Sequence, residues 1–129
     1  MPERLNPSAI AAPAGSYSHA ILVKEPGGWL HIAGQIGMRP DGSLGEGVAE
    51  QADIAWQNLS AILQSAGMDV SHLVKVTTYL VEAEDLAAIN PVRVRYLGDA
   101  RPASTLVVAK ALARKEWLIE VEATAFRAD

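Results

Sequence analysis

The sequence predicts a single α+β domain in which a mixed sheet carries two helices on one face. Three observations lead there. A chain of 129 residues suits one domain with a substantial core. Segments of period two and of helical period follow one another as strand, strand, strand, helix, strand, helix, strand, strand. Each helix falls between strands, so right-handed crossovers place both on the same side of the sheet.

The first 16 residues hold three of the seven prolines and form an irregular lead-in with a short edge strand near Arg4 to Asn6. Ser18 to Lys24 is a strand closed by Glu25-Pro26-Gly27-Gly28, and Trp29 to Gln35 is the returning arm of a hairpin. Gly34 inside that arm marks a close approach of backbone or ligand. Arg39 to Gly47 is a loop turned by Pro40-Asp41-Gly42. From Val48 to Ala66, residues Ala52, Ala55, Trp56, Leu59, Ile62, Leu63 and Ala66 recur at three- and four-residue spacing, and Gly67 supplies the helix stop. Trp56 on that stripe reads as core. Leu73 to Val81 is a strand rich in β-branched residues. A second helix spans about Ala83 to Tyr96, with a kink or break expected at Asn90-Pro91 because proline removes a backbone donor. Ser104 to Ala109 is a strand and Leu112 to Glu116 a turn.

The last strand, Trp117 to Phe126, alternates with period two. Trp117, Ile119, Val121, Ala123 and Ala125 form an apolar face that belongs under the helices. Leu118, Glu120, Glu122, Thr124 and Phe126 form the other. On the strand phases, the uncovered face gathers Glu120, Glu122, Thr105, Val107, Tyr79 and Thr77. That mixture is too apolar to leave wet, which predicts a homo-oligomer with ligand sites in clefts between subunits.

The composition narrows the function. At 50% hydrophobic and 20% charged, the chain is ordinary for a soluble globular protein. A net charge of −4 and no basic run argue against a nucleic-acid partner. The lack of cysteine excludes a thiol nucleophile, disulfides and cysteine-ligated metal. No basic-then-apolar leader and no apolar run of about 18 residues occur, so the expectation is a cytoplasmic chain without membrane contact. The histidines His19, His31 and His72 lack metal-ligand spacing, and no phosphate loop or serine-hydrolase signature is present.

Five stretches, in order, resemble one family. Gly15-Ser16-Tyr17-Ser18-His19-Ala20 is similar to its Gly-Pro-Tyr-Ser-Gln-Ala, and Ala33-Gly34-Gln35-Ile36 to its Ser-Gly-Gln-Ile. The span from Gln51 through Asn58-Leu59 to Ala66-Gly67 and Val74-Lys75-Val76-Thr77 resembles its helix-strand block. Ala88-Ile89-Asn90 resembles Ala-Val-Asn, and Ile119-Glu120-Val121-Glu122-Ala123 resembles Ile-Glu-Ile-Glu-Ala. From Gly15 to Ala125 the chain is similar to the RidA/YjgF family of reactive-intermediate deaminases.

The resemblance implies a chorismate-mutase-like fold and a homotrimer with sites at the subunit clefts. It also implies hydrolysis of small enamines and imines without metal or organic cofactor. It places Tyr17 along the cleft, Gly34 as backbone near the ligand, Asn90 as a brace, Thr105 where the family often has cysteine or threonine, and Glu120 as the group that positions or activates water. One departure counts heavily. The family's Pro-Ala-Arg-Ser-Thr grips a substrate carboxylate with its arginine, whereas this chain reads Arg101-Pro102-Ala103-Ser104-Thr105. Ala103 therefore stands at the arginine position. Arg101 lies two residues earlier, on the same side of an extended segment and about 6.6 Å along it. His19 replaces the family's glutamine beside Tyr17 and is a candidate ligand contact. Three readings stay open: a deaminase with an altered small-molecule substrate, a non-catalytic trimer binding a small molecule or partner, or a purely structural oligomer.

Overall fold

The computed structural model of the protein describes residues 3–13, 15, 17–24 and 27–128. Its elements are β1 (Glu3–Leu5), β2 (Ala20–Val23), β3 (Gly28–Gln35), α1 (Gly47–Ser65), β4 (Leu73–Leu80), α2 (Leu86–Leu97), β5 (Ala103–Val108) and β6 (Ile119–Arg127). The strands form one mixed sheet in the order β1-β2-β3-β6-β4-β5. Every neighbouring pair is antiparallel except β4 and β5. That parallel pair follows from chemistry of the chain: β4 and β5 are joined through α2, and a helical crossover returns the strand in the same direction.

The fold is the predicted α+β class, with the last strand at the centre of the sheet between β3 and β4. Ile119, Val121, Ala123 and Ala125 are buried under the helices, as their alternation required. They meet Trp56, Leu59, Ile62 and Leu63 of α1, together with Leu30, Ile32, Val76 and Leu80 of the neighbouring strands. Gly67 ends α1 with φ 70°, and Met68 N–H returns to Leu63 O at 2.9 Å. The Asp69–His72 segment is capped reciprocally, with Asp69 N–H donating to His72 Nδ1 and Ser71 N–H to the Asp69 carboxylate, which gives His72 a structural task.

Two details differ from expectation. The second helix is not broken at Pro91: a 3₁₀ turn at Ala83–Asp85 leads into one helix from Leu86 to Leu97. Proline there removes only the bond to the Ala87 carbonyl, and buried Ile89, Val92 and Leu97 hold the helix against the core. The last strand begins at Ile119 rather than Trp117, because the Leu118 N–H is taken by the Gln51 side chain instead of a neighbouring strand. Glu25 and Pro26 of the expected hairpin turn, and Ser16 of the Gly15–Ala20 stretch, lie outside the described residues.

The uncovered face has the expected composition. Register aligns Glu120 with Tyr79 and Val107, and Glu122 with Thr77 and Thr105. The Tyr79 hydroxyl donates to Glu122 Oε1. The edge strand β5 is exposed along its length, and Leu106, Val107 and Val108 retain 36%, 38% and 47% of their accessible surface. Among the described residues, no helix is long and apolar enough to cross a membrane.

Candidate functional site

The pairing of β3 with β6 slips between Ile32 and Gln35, and Gly34 lies in that irregularity. A Cβ built on Gly34 would stand 2.7 Å from Glu120 Cδ and 2.9 Å from Cγ, overlapping Oε2 as well. The φ of Gly34 is not positive. Glycine is therefore required for the space that the Glu120 carboxylate fills, and not for an unusual backbone angle.

Around this contact lies a cavity of about 460 Å³, which Tyr17, His19, Gly34 and Glu120 share. Its lining also includes the strap at Ile10, Ala11 and Ala12, together with Ile36, Met38 and Trp117. The strap is buckled down by His19, which is itself buried. Asn6 Oδ1 accepts from the His19 N–H at 2.8 Å, and His19 Nε2 lies 2.7 Å from Ala11 O. A carbonyl can only accept, so Nε2 carries the proton and Nδ1 is left to accept from Gln35 Nε2, 3.1 Å away. The same Gln35 amide also donates to Ala33 O at 3.2 Å. His19 thus joins the strap to the strand that carries Gly34, and both its ring nitrogens are engaged.

Two buried amides on α1 hold the other rims. Asn58 Nδ2 donates to Ile36 O at 3.3 Å and Met38 O at 2.9 Å. Gln51 Nε2 donates to Gly45 O and Glu116 O, both at 3.1 Å, while its Oε1 accepts from Leu118 N–H at 2.9 Å. This clamp turns Trp117, expected on the core face of the last strand, into a wall of the cavity. The sequence held a signal for both amides. Gln51 and Asn58 are seven residues apart and share the helix face of Ala55 and Ile62, where a polar side chain needs buried partners.

Burial pushes the Glu120 carboxyl above the usual glutamate value, and the neighbouring Glu122 adds to that rise. No lysine or arginine is found among the described residues lining the cavity. Among the described residues, no group of three or more His, Asp or Glu could hold a metal ion.

The other expected site residues lie elsewhere in the same chain. Asn90 is exposed on α2 in the helical layer. Ala103 and Thr105 are exposed on β5, two strands and so about 10 Å from β6. Thr105 Oγ1 accepts from the Lys75 ammonium. Arg101 Nη1 donates to Gly98 O and Ala100 O, both at 2.8 Å, capping the end of α2. Arg93 Nη2 donates to Ser104 Oγ at 2.8 Å, and Arg95 pairs with Asp53 on the surface. One chain therefore assembles Tyr17, His19, Gly34 and Glu120, and leaves Asn90, Arg101, Ala103 and Thr105 apart from them.

Comparison with known proteins agrees with this architecture. The family described as Endoribonuclease L-PSP matches residues 7–127. A RutC family protein of Pyrococcus abyssi is 39% identical over 117 residues, covering 89% of each chain. The 2-iminobutanoate/2-iminopropanoate deaminase of Rattus norvegicus is 36% identical over 123 residues, covering 94% of this chain and 87% of the rat protein. The crystal structure of RidA from the Antarctic bacterium Psychrobacter superposes with a TM-score of 0.90 at 30% identity, over 97% of this chain and 99% of that one.

Proposed function

The chain belongs to the RidA/YjgF family, the one described as Endoribonuclease L-PSP, and from that premise we propose that it is a hydrolytic deaminase of small enamines and imines. The observation that carries the reading is Glu120, a half-buried carboxylate with raised proton affinity, pressed against the side-chain-free backbone of Gly34 inside a cavity. A water hydrogen-bonded to Glu120 adds to the electrophilic carbon of an iminium, the carboxylate takes the proton, and that proton passes to the departing nitrogen. Relatives in rat and human carry the name 2-iminobutanoate/2-iminopropanoate deaminase. The substrate here differs from theirs in how it is held, because Ala103 stands where the family resemblance puts an arginine. The net charge of −4 and the lack of lysine or arginine among the described residues lining the cavity favour a small molecule over RNA.

The working form is a homotrimer in the cytoplasm. Its support is the apolar edge strand β5, left exposed in one chain, and the separation of Asn90 and Thr105 from Glu120, which a second copy would bridge at a subunit cleft. A second reading, a non-catalytic trimer that binds a small molecule or partner, is favoured by Ala103 alone. Ammonia release from 2-iminopropanoate generated in situ and from a carboxylate-free ketimine decides between them, using the unmodified protein, Glu120→Gln and Ala103→Arg. Glu120-dependent release by the unmodified protein or by Ala103→Arg supports the deaminase. Silence in every form supports the binding trimer.

A further inference from the structure

Resting on the deaminase reading, we propose that this cavity selects imines with apolar substituents and no carboxylate. Its apolar lining includes Ile10, Ile36, Met38 and Trp117, and Glu120 is the one carboxylate among the described residues that line it. A 2-imino acid whose imine carbon met a water on Glu120 would carry its own carboxylate one bond away. Two like charges would then share a desolvated space, which is unfavourable. A protonated iminium gains in the same place, because its positive charge faces Glu120 across a low-dielectric gap.

Within one chain, the cations that could offset the repulsion stand apart from the cavity. Arg101 caps the end of α2 through Gly98 O and Ala100 O, and Arg93 is tied to Ser104. Lys75 donates to Thr105 Oγ1 and lines a separate groove with His31 and Thr124. Register sets Lys75 against Thr124 and Tyr79 against Glu120, four residues apart and so about 13 Å along the sheet. Arg114 and Lys115 are exposed on the loop before Trp117 and do not line the cavity.

Hydrolysis of such an imine balances with water alone. The water oxygen bonds to the imine carbon, and Glu120 takes one water proton and passes it to nitrogen. The carbon–nitrogen bond then breaks, and the second water proton passes to the released ammonia as the carbonyl forms, so the protonated iminium and water give a ketone or aldehyde and ammonium.

The test compares two planar phenyl probes of equal size and opposite charge, benzamidine and benzoate, by titration calorimetry of the full chain at pH 7.5. Benzamidine should bind at least about ten-fold more tightly, and Glu120→Gln should erase the difference. Gly34→Ala, which displaces the same carboxylate without removing it, should weaken benzamidine as well and serves if Glu120→Gln does not fold. Benzoate binding equally or better overturns the proposal, as does benzoate binding that collapses in Lys75→Ala or Arg114→Ala. Turnover is read separately as ammonia released from benzophenone imine, a carboxylate-free ketimine, and from 2-iminopropanoate. Glu120-dependent release from 2-iminopropanoate alone leaves the deaminase reading standing and removes the selectivity. Release from neither imine above the Glu120→Gln background removes the deaminase reading, while the probe preference still judges the cavity.

Discussion

Replacing Gly34 with alanine strikes the cavity at its tightest point. The new methyl would stand 2.7 Å from Glu120 Cδ and 2.9 Å from Cγ, where ordinary contact begins near 3.4 Å. The carboxyl carbon must therefore retreat by at least about 0.7 Å, the difference between those values, and Oε2 by more. Because Gly34 has no positive φ, alanine brings no backbone strain. The side chain that must yield is long and only half-buried, so the fold absorbs the change within about 1 kcal/mol. Catalysis does not, since a displacement near 1 Å of a reacting group costs on the order of 100-fold. The expected outcome is a thermal midpoint within a few degrees of the parent and kcat for ammonia release lowered by roughly 100-fold. A coupled ammonia assay beside a circular-dichroism melt measures both. Full activity in well-folded Gly34→Ala would refute the placement of Glu120 as the group that positions water. A loss of activity that merely tracked unfolding would equally remove the argument.

Four further outcomes follow from the same geometry. Gln51→Leu strands Leu118 N–H, Gly45 O and Glu116 O, and urea titration should show a loss of about 1–3 kcal/mol; a change below about 0.5 kcal/mol would mean that the clamp under Trp117 is not needed. Burial first and Glu122 second raise the Glu120 carboxyl above its reference value of 4.5, so activity that needs the carboxylate should fall on an acid limb above that value. Glu122→Gln should move this limb to lower pH, and an unmoved limb would deny the coupling. The sign for stability is opposite to that of a salt-bridged acid: the fold loses stability as pH rises through the raised value. Glu120→Gln should therefore melt higher than the parent near pH 7 and equally below the unfolded-state value. Val107→Glu on the exposed strand β5 should break the proposed homotrimer into smaller species in size-exclusion light scattering, and an unchanged mass would place the interface elsewhere.

The sequence by itself determined the class of the fold and most of its elements. Period two and period 3.6 are local signals, so the alternation of Ile119, Val121, Ala123 and Ala125 and the stripe through Trp56 and Leu59 state which faces are buried before any partner is known. Gly34 was legible as a point of close approach for the same reason, since a glycine inside a strand pattern signals one. Local signals misplaced the beginning of the last strand and overstated Pro91, because both depend on what packs nearby: the Gln51 clamp on Leu118 and the buried flank of α2. The cavity was decided only by the tertiary structure. His19, Gln35, Gln51, Asn58 and Trp117 come from segments far apart in the chain, and each owes its role to a hydrogen bond or wall supplied by another segment. Periodicity reports which side of its own element a residue faces, whereas a cavity is set by how several elements meet, and that meeting exists only once the chain has folded.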